Sequence, residues 1–166
     1  MSSSATDASA GAFAVVVFWE DQHWQVGMLP AVLTEDLAGL IAAVQQQPGE
    51  NGSFALVDIE DEFFVVVRQK MGQVSLLLSD VTAAVAWDLA VQVCDYLEVD
   101  VPAEDELEEI LPAGDLAIFD DLGLDAMELG AILADDDAYA DEMLAILARR
   151  LGFAAPFQDV VGAPAD

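Results

Sequence analysis

Positive charge is what this sequence lacks most. Four Lys and Arg stand against 32 Asp and Glu, for a formal net charge of -28 over 166 residues. Affinity for nucleic acid rests on Lys and Arg displacing counterions from phosphates, so direct binding to tRNA or DNA is not expected. An anionic membrane surface is disfavoured for the same reason. A basic protein partner is favoured, because opposite charge speeds encounter. The acidity either marks such a docking surface or serves only to keep a hydrophobic chain in solution.

Histidine and cysteine are nearly absent too, with one of each. His23 alone supplies neither a His-dependent triad nor a metal-binding His pair, and no G-x-S-x-G is present. One Cys and one His cannot build a zinc cage. Neither G-x-x-x-x-G-K-[ST] nor G-x-G-x-x-G occurs, so no phosphate-cradling loop is expected. Cys94 has no disulfide partner in the chain and no cation close in sequence to lower its pKa, which makes it a small core residue in a reducing, cytoplasmic setting. Apolar residues make up 55% of the sequence, yet no run approaches the roughly 18 residues of a membrane helix. The opening MSSSATDASAGA has no basic residue and no long apolar core, unlike a secretory signal.

Carboxylates are abundant, and two chemistries could use them. A glycosidase-like acid pair needs two carboxyls at set separation, which sequence cannot specify. Calcium could use Asp135-Asp136-Asp137 with Asp141 and Glu142, or Asp120-Asp121 with Asp125, but neither follows the EF-hand spacing. Helix-start acids explain both clusters, and no metal or cofactor is expected.

Patterning gives the fold. Phe13–Trp19 and His23–Met28 form a hairpin, the second strand alternating with Trp24, Val26 and Met28 on one face and therefore lying near a sheet edge. Thr34 is expected to N-cap a helix with Glu35 and Asp36 in its first turn and Leu37, Leu40, Ile41 and Val44 facing inward. Phe54–Ile59, Phe63–Gln69 and Val74–Leu78 then form a meander whose middle strand is apolar on both faces. A helix to Leu97 carries Ala83, Trp87, Ala90, Val91 and Cys94 on one stripe. Pro102 starts a short helix with Leu107, Ile110 and Leu111 on one face, ended by Pro112-Ala113-Gly114. Asp125 to Glu128 has the form of a capping box, and a last helix spans 138–151 with acids first and Arg149-Arg150 last. Phe153 and Phe157 pin the remaining tail. The expectation is an α+β fold: an antiparallel sheet of about five strands, built from the N-terminal hairpin, a helix and the three-strand meander, and covered by a C-terminal group of helices. Residues 1–12 form a disordered tail, 13–160 one domain, and 161–166 a loose tail.

Charge also has a regional pattern. Between Lys70 and Arg149 there is no base but there are 20 acids, seven of them from Glu98 to Glu109. Like charges at that density repel and weaken a fold, a cost that a docked cationic surface would relieve. The candidate partner-binding residues are Glu98, Asp100, Glu104, Asp105, Glu106, Glu108, Glu109, Asp120, Asp121 and Asp125. A solvated acidic face explains them equally well.

Four segments together, FFVVVR (63–68), LLLSD-x-x-A-A (76–84), PAGDLAIFDDLGL (112–124) and LARRLGFA (147–154), resemble the actinobacterial tRNA adenosine deaminase-associated family. The resemblance runs from Phe13 to Phe157 and rests on the order and spacing of the segments. It implies a link to the tRNA adenosine deaminase and carries no catalytic residues. Such deaminases hold zinc with H-x-E and P-C-x-x-C; here His23 is followed by Trp24 and Gln25, and P-C-x-x-C is missing. The reading is therefore a non-enzymatic acidic accessory or regulatory protein that touches the enzyme rather than the RNA. Two rivals are an acidic nucleic-acid mimic that inhibits a basic nucleic-acid-binding protein, and a carboxylate-only hydrolase. A homodimer through the sheet is compatible with each.

Overall fold

A computed structural model describes residues 12–47, 49, 52–100, 112–135 and 138–162. Six antiparallel strands form one sheet: β1 (Ala12–Glu20), β2 (His23–Met28), β3 (Ser53–Ile59), β4 (Phe63–Lys70), β5 (Gln73–Leu78) and the short β6 (Ala113–Gly114). Their spatial order is β2-β1-β3-β4-β5-β6. The expected five strands are present, and the sixth comes from Ala113-Gly114, expected only to end a helix; it pairs with Leu77 and Leu78.

Strands β3 and β4 lie at the centre and are apolar on both faces, so each face needs a cover. Phe54, Leu56, Phe64, Val66 and Leu77 point to one side, where they meet α3 (Ala126–Leu133), α4 (Ala140–Leu151) and α5 (Ala154–Gly162). Ala55, Val57, Phe63, Val65 and Val67 point to the other, against α1 (Leu37–Gln46) and α2 (Asp88–Leu97). The result is the expected α+β fold with helices on both faces: α1, the helix between the hairpin and the meander, shares one face with α2, and α3 to α5 cover the other. Among the described residues, no helix is long and apolar enough to cross a membrane.

Helix starts differ from expectation in an instructive way. Thr34 does not cap α1: it is buried in a 3-10 turn, Ala31–Glu35, and its Oγ1 donates to the Ala31 carbonyl at 2.8 Å. Asp36 caps instead, accepting from the Gly39 N–H. Gln92 on α2 fixes this junction, its Oε1 accepting from the Leu37 N–H and its Nε2 donating to the Glu35 carbonyl, both at 2.9 Å. The stripe expected through Ala83 and Trp87 is likewise broken, by a 3-10 turn at Val81–Val85 before α2 begins at Asp88. That break re-phases the helix, so Leu89, Ala90, Val93 and Cys94 are buried while Val91 turns outward.

Asp125 caps α3 as expected, but the box does not close: the Glu128 carboxylate pairs with Arg150 on α4. Phe153 and Phe157 are buried and pin the segment after Gly152 as expected, but that segment is a further helix, α5, with Val160 and Val161 also against the core. It runs to Gly162, past residue 160. The helix expected to start at Pro102 lies outside the described residues.

Three hairpin tips have left-handed backbone at consecutive residues: Asp21-Gln22, Glu60-Asp61 and Met71-Gly72. Such turns match the right-handed twist of the strands, but an L side chain there is strained by about 1–2 kcal/mol. Met71, with φ of 54° and a 91% exposed side chain, bears that strain without compensating burial. Replacing it with asparagine, which tolerates this conformation, creates Asn-Gly at the tip. Met71→Asn is expected to stabilise the fold by about 0.5–1 kcal/mol, read as a higher urea midpoint with an unchanged m-value.

Candidate functional site

The candidate acidic residues divide between the two helical layers. Glu98 ends α2 in left-handed conformation, its N–H bonded to the Cys94 and Asp95 carbonyls, and Asp100 follows; both are exposed. Asp120, Asp121 and Asp125 belong to the opposite layer, next to Ile118, Phe119 and Leu124 of the other core. Glu104, Asp105, Glu106, Glu108 and Glu109 lie outside the described residues.

Two of these acids already have structural work. Arg68 projects from β4 toward the face covered by α3 to α5, with 4% of its side chain exposed. Its Nη1 donates to Asp121 Oδ1 and to the Ile118 carbonyl, each at 2.6 Å, and its Nη2 donates to Asp121 Oδ2 at 2.9 Å. Lys70 adds a third bond to the same carboxylate at 2.9 Å. The Arg68 hydrogen bonds, with help from Lys70, hold the Asp121 carboxyl down at about 2. Asp125 is occupied too, as the cap of α3. Among the described candidates, Glu98, Asp100 and Asp120 are the exposed carboxylates left without such a packing role.

A second carboxylate is perturbed the opposite way. Asp58 lies on β3 with 1% exposure, between Phe13 and Phe64 on the flanking strands. Its Oδ1 accepts from the Asp61 N–H at 3.0 Å. Burial raises it from 3.8 to about 8, reinforced by the charges of Asp61 and Asp141. Asp141 sits at the start of α4, and the Ala140 N–H donates to the Asp61 carbonyl, so the β3–β4 hairpin tip is clasped to that helix. A carboxyl kept protonated near neutrality is a form that general acids take. Asp58, however, is sealed from solvent, and its burial accounts for the shift. Cys94 is buried as expected, and burial pushes its thiol up, away from reactivity. Among the described residues no group of His, Cys, Asp and Glu is placed to hold a metal.

Sequence reading passed over one feature, a shallow groove of about 420 Å³ between the β1–β2 hairpin and the start of α5. Trp19, His23 and Trp24 form one wall, and Gly152, Pro156 and Asp159 the other. Trp19 and Trp24 are cross-strand partners with rings edge-to-face at 5.3 Å. Trp24 continues inward to Phe54 and Phe153, which makes the wall rigid. Gly152 ends α4 at φ of 101°, and a Cβ there would stand 3.4 Å from the Trp24 indole nitrogen. His23 is exposed, with Nδ1 at 3.0 Å from the Asp21 carbonyl; since a carbonyl only accepts, Nδ1 carries a proton, and Nε2 faces the Gln25 side-chain amide at 2.7 Å. The available signal was two tryptophans placed symmetrically about the Asp21-Gln22 turn; the facing wall, more than 100 residues away in sequence, gave none.

Residues 12–154 match the family described as Rv3753c-like tRNA adenosine deaminase-associated protein. The chain is 39% identical to Protein Rv3753c of Mycobacterium tuberculosis (strain ATCC 25618 / H37Rv) over 164 residues, covering 97% of this chain and 93% of that protein. No solved structure matches it.

Asp121, lowered, and Asp58, raised, give opposite expectations. Asp121→Ala leaves the Arg68 guanidinium buried without its carboxylate and is expected to cost about 3 kcal/mol, whereas Lys70→Met removes only an exposed partner and costs under about 1 kcal/mol; urea denaturation of both variants checks the difference. Asp58 has a raised folded-state pKa, so its contribution is fully present below 3.8 and is lost as pH rises through about 8. Asp58→Asn keeps an acceptor for the Asp61 N–H and cannot ionise. It is expected to flatten the loss of stability across that window, measured as the denaturation midpoint against pH.

Proposed function

The chain belongs to the Rv3753c-like tRNA adenosine deaminase-associated protein family, and from that premise we propose that it is a non-enzymatic, cytoplasmic accessory protein that docks on the tRNA adenosine deaminase through its acidic surface. The observation that carries this reading is where the few cations go. Arg68 and Lys70 are engaged with Asp121, and Arg150 with Glu128, so three of the four bases are matched within the chain. What remains toward solvent is a strongly acidic field, with Glu98, Asp100 and Asp120 exposed and Arg149 the one exposed base outside these pairs. Such a field attracts a basic protein surface and repels phosphates.

Carboxylate-only catalysis finds no support in the geometry: the carboxyl with the largest upward shift is sealed in the sheet. The acids proposed to take part in docking are Glu98 and Asp100 beyond α2, Asp120, Asp121 and Asp125 in the opposite layer, and Glu104, Asp105, Glu106, Glu108 and Glu109 between them in sequence; Asp121 and Asp125 also serve the fold, through Arg68 and the α3 cap.

Co-purification with the deaminase from the native host, with the tRNA digested in a parallel sample, tests the reading. The complex is expected to survive RNA digestion and low salt, and to weaken by at least about tenfold at salt high enough to shorten the Debye length to about 3 Å. Joint replacement of Glu104, Asp105, Glu106, Glu108 and Glu109 by their amides is expected to weaken it comparably. No binding at micromolar concentration in low salt sinks the proposal. Competition between the chain and tRNA, in place of a ternary complex, would favour a nucleic-acid mimic.

A further inference from the structure

The acidic field says what sign of partner the protein attracts, and the β1–β2 hairpin says where a specific contact with it can form. Strand β2 is the outer strand of the sheet, paired with β1 on one side and with no strand on the other among the described residues. Proteins protect such edges with charged residues or proline inside the strand. HWQVGM contains no Asp, Glu, Lys, Arg or Pro, in a chain where acids are otherwise frequent. Its residues are exposed or half-buried throughout. Among the described residues the edge is therefore open, and it is uncharged and long enough for several main-chain hydrogen bonds.

The groove adjoins this edge and supplies side-chain selectivity. Two half-buried indoles form its rigid wall, and Asp159 lies across from them. Glu20 and Asp21 sit at the hairpin tip beside it. Arg149 precedes Gly152 by one turn but does not line the groove. Tryptophan faces next to a carboxylate are the environment that guanidinium groups prefer, combining cation–π attraction with an ion pair. Gly152 and the exposed Ala155 leave room for such a group.

Resting on the reading of a basic partner, we propose that β2 and the Trp19–Trp24 groove bind an extended, arginine-bearing peptide segment of that partner, the segment adding a strand to the sheet and seating one arginine against the tryptophans and Asp159. Main-chain pairing supplies affinity and the groove supplies selectivity, as in other cases of strand addition. Charge decides against a second copy as occupant, because edge-to-edge pairing would bring two chains of net charge -28 together.

The test is titration of the full chain with a blocked octapeptide of alternating arginine and valine, followed by ¹H–¹⁵N spectra, with a charge-matched peptide bearing proline in place of valine as control. The indole N–H signals of Trp19 and Trp24 and the amides of residues 23–28 are expected to shift, while that of Trp87, packed on Phe63, stays still. Ala155→Arg is a surface change that fills the groove with a cation, and is expected to weaken binding by about tenfold or more; Asp159→Asn should weaken it by about threefold. Amide replacements at Glu104, Asp105, Glu106, Glu108 and Glu109 should leave the same shifts in place. Equal binding of the proline peptide, shifts outside the hairpin and groove, indifference to Ala155→Arg, or a concentration-dependent doubling of mass by light scattering overturns the proposal. Peptide binding in the groove without any deaminase binding would sink the docking function above and leave this site standing with another basic partner. Deaminase binding that ignores Ala155→Arg would do the reverse.

Discussion

Everything in this structure follows from a sheet whose central strands cannot tolerate water on either face. Phe63 to Val67 and Phe54 to Val57 send large apolar side chains alternately to both sides. Removing that area from water supplies roughly 25 cal/mol per Å², the largest favourable term available to the chain. It can be realised only if helices cover both sides, so the chain crosses over: α1 and α2 on one face, α3 to α5 on the other. The loops and caps are details of how the helices are brought to those positions.

Placing helices on both faces also settles where charge can go. An arginine inside one of these layers needs a carboxylate delivered by a different element, and the turn carrying Asp121 supplies it to Arg68. The Glu128–Arg150 pair does a milder version of the same between α3 and α4. Three of the four cations are thereby matched by carboxylates of the same chain, Arg68 in the interior and Lys70 and Arg150 at the surface, which leaves most of the acids uncompensated. Asp58 is the exception: an acid caught within the sheet that avoids the cost of a buried charge by staying protonated.

This arrangement separates two demands that docking makes. Long-range attraction needs only the summed field and is insensitive to where each carboxylate stands. Short-range selectivity needs a shaped surface, and the described acids do not make one, being split between opposite layers. The open β2 edge and the paired tryptophans are shaped and rigid, and they carry little charge themselves. A field that recruits and a groove that selects are physically compatible roles for different parts of one small protein.

The sequence by itself determined the strands, because alternation and apolar runs such as FFVVV read directly onto a pleated sheet, and it determined the excess of acid, the absence of catalytic histidine and cysteine sets, and the family. It also made β2 an edge through its half-polar pattern. Only the tertiary structure decided which cap is used at α1, since the choice of Asp36 over Thr34 depends on Gln92 more than 50 residues away. It alone gave Asp121 to Arg68, turned Val91 outward, made a sixth strand from Ala113-Gly114, and brought Gly152 and Asp159 up to Trp19 and Trp24. The reason is common to all of these: local pattern reports which side chains must leave water, while partners contributed across large sequence separations are set by how the two helical layers close on the sheet.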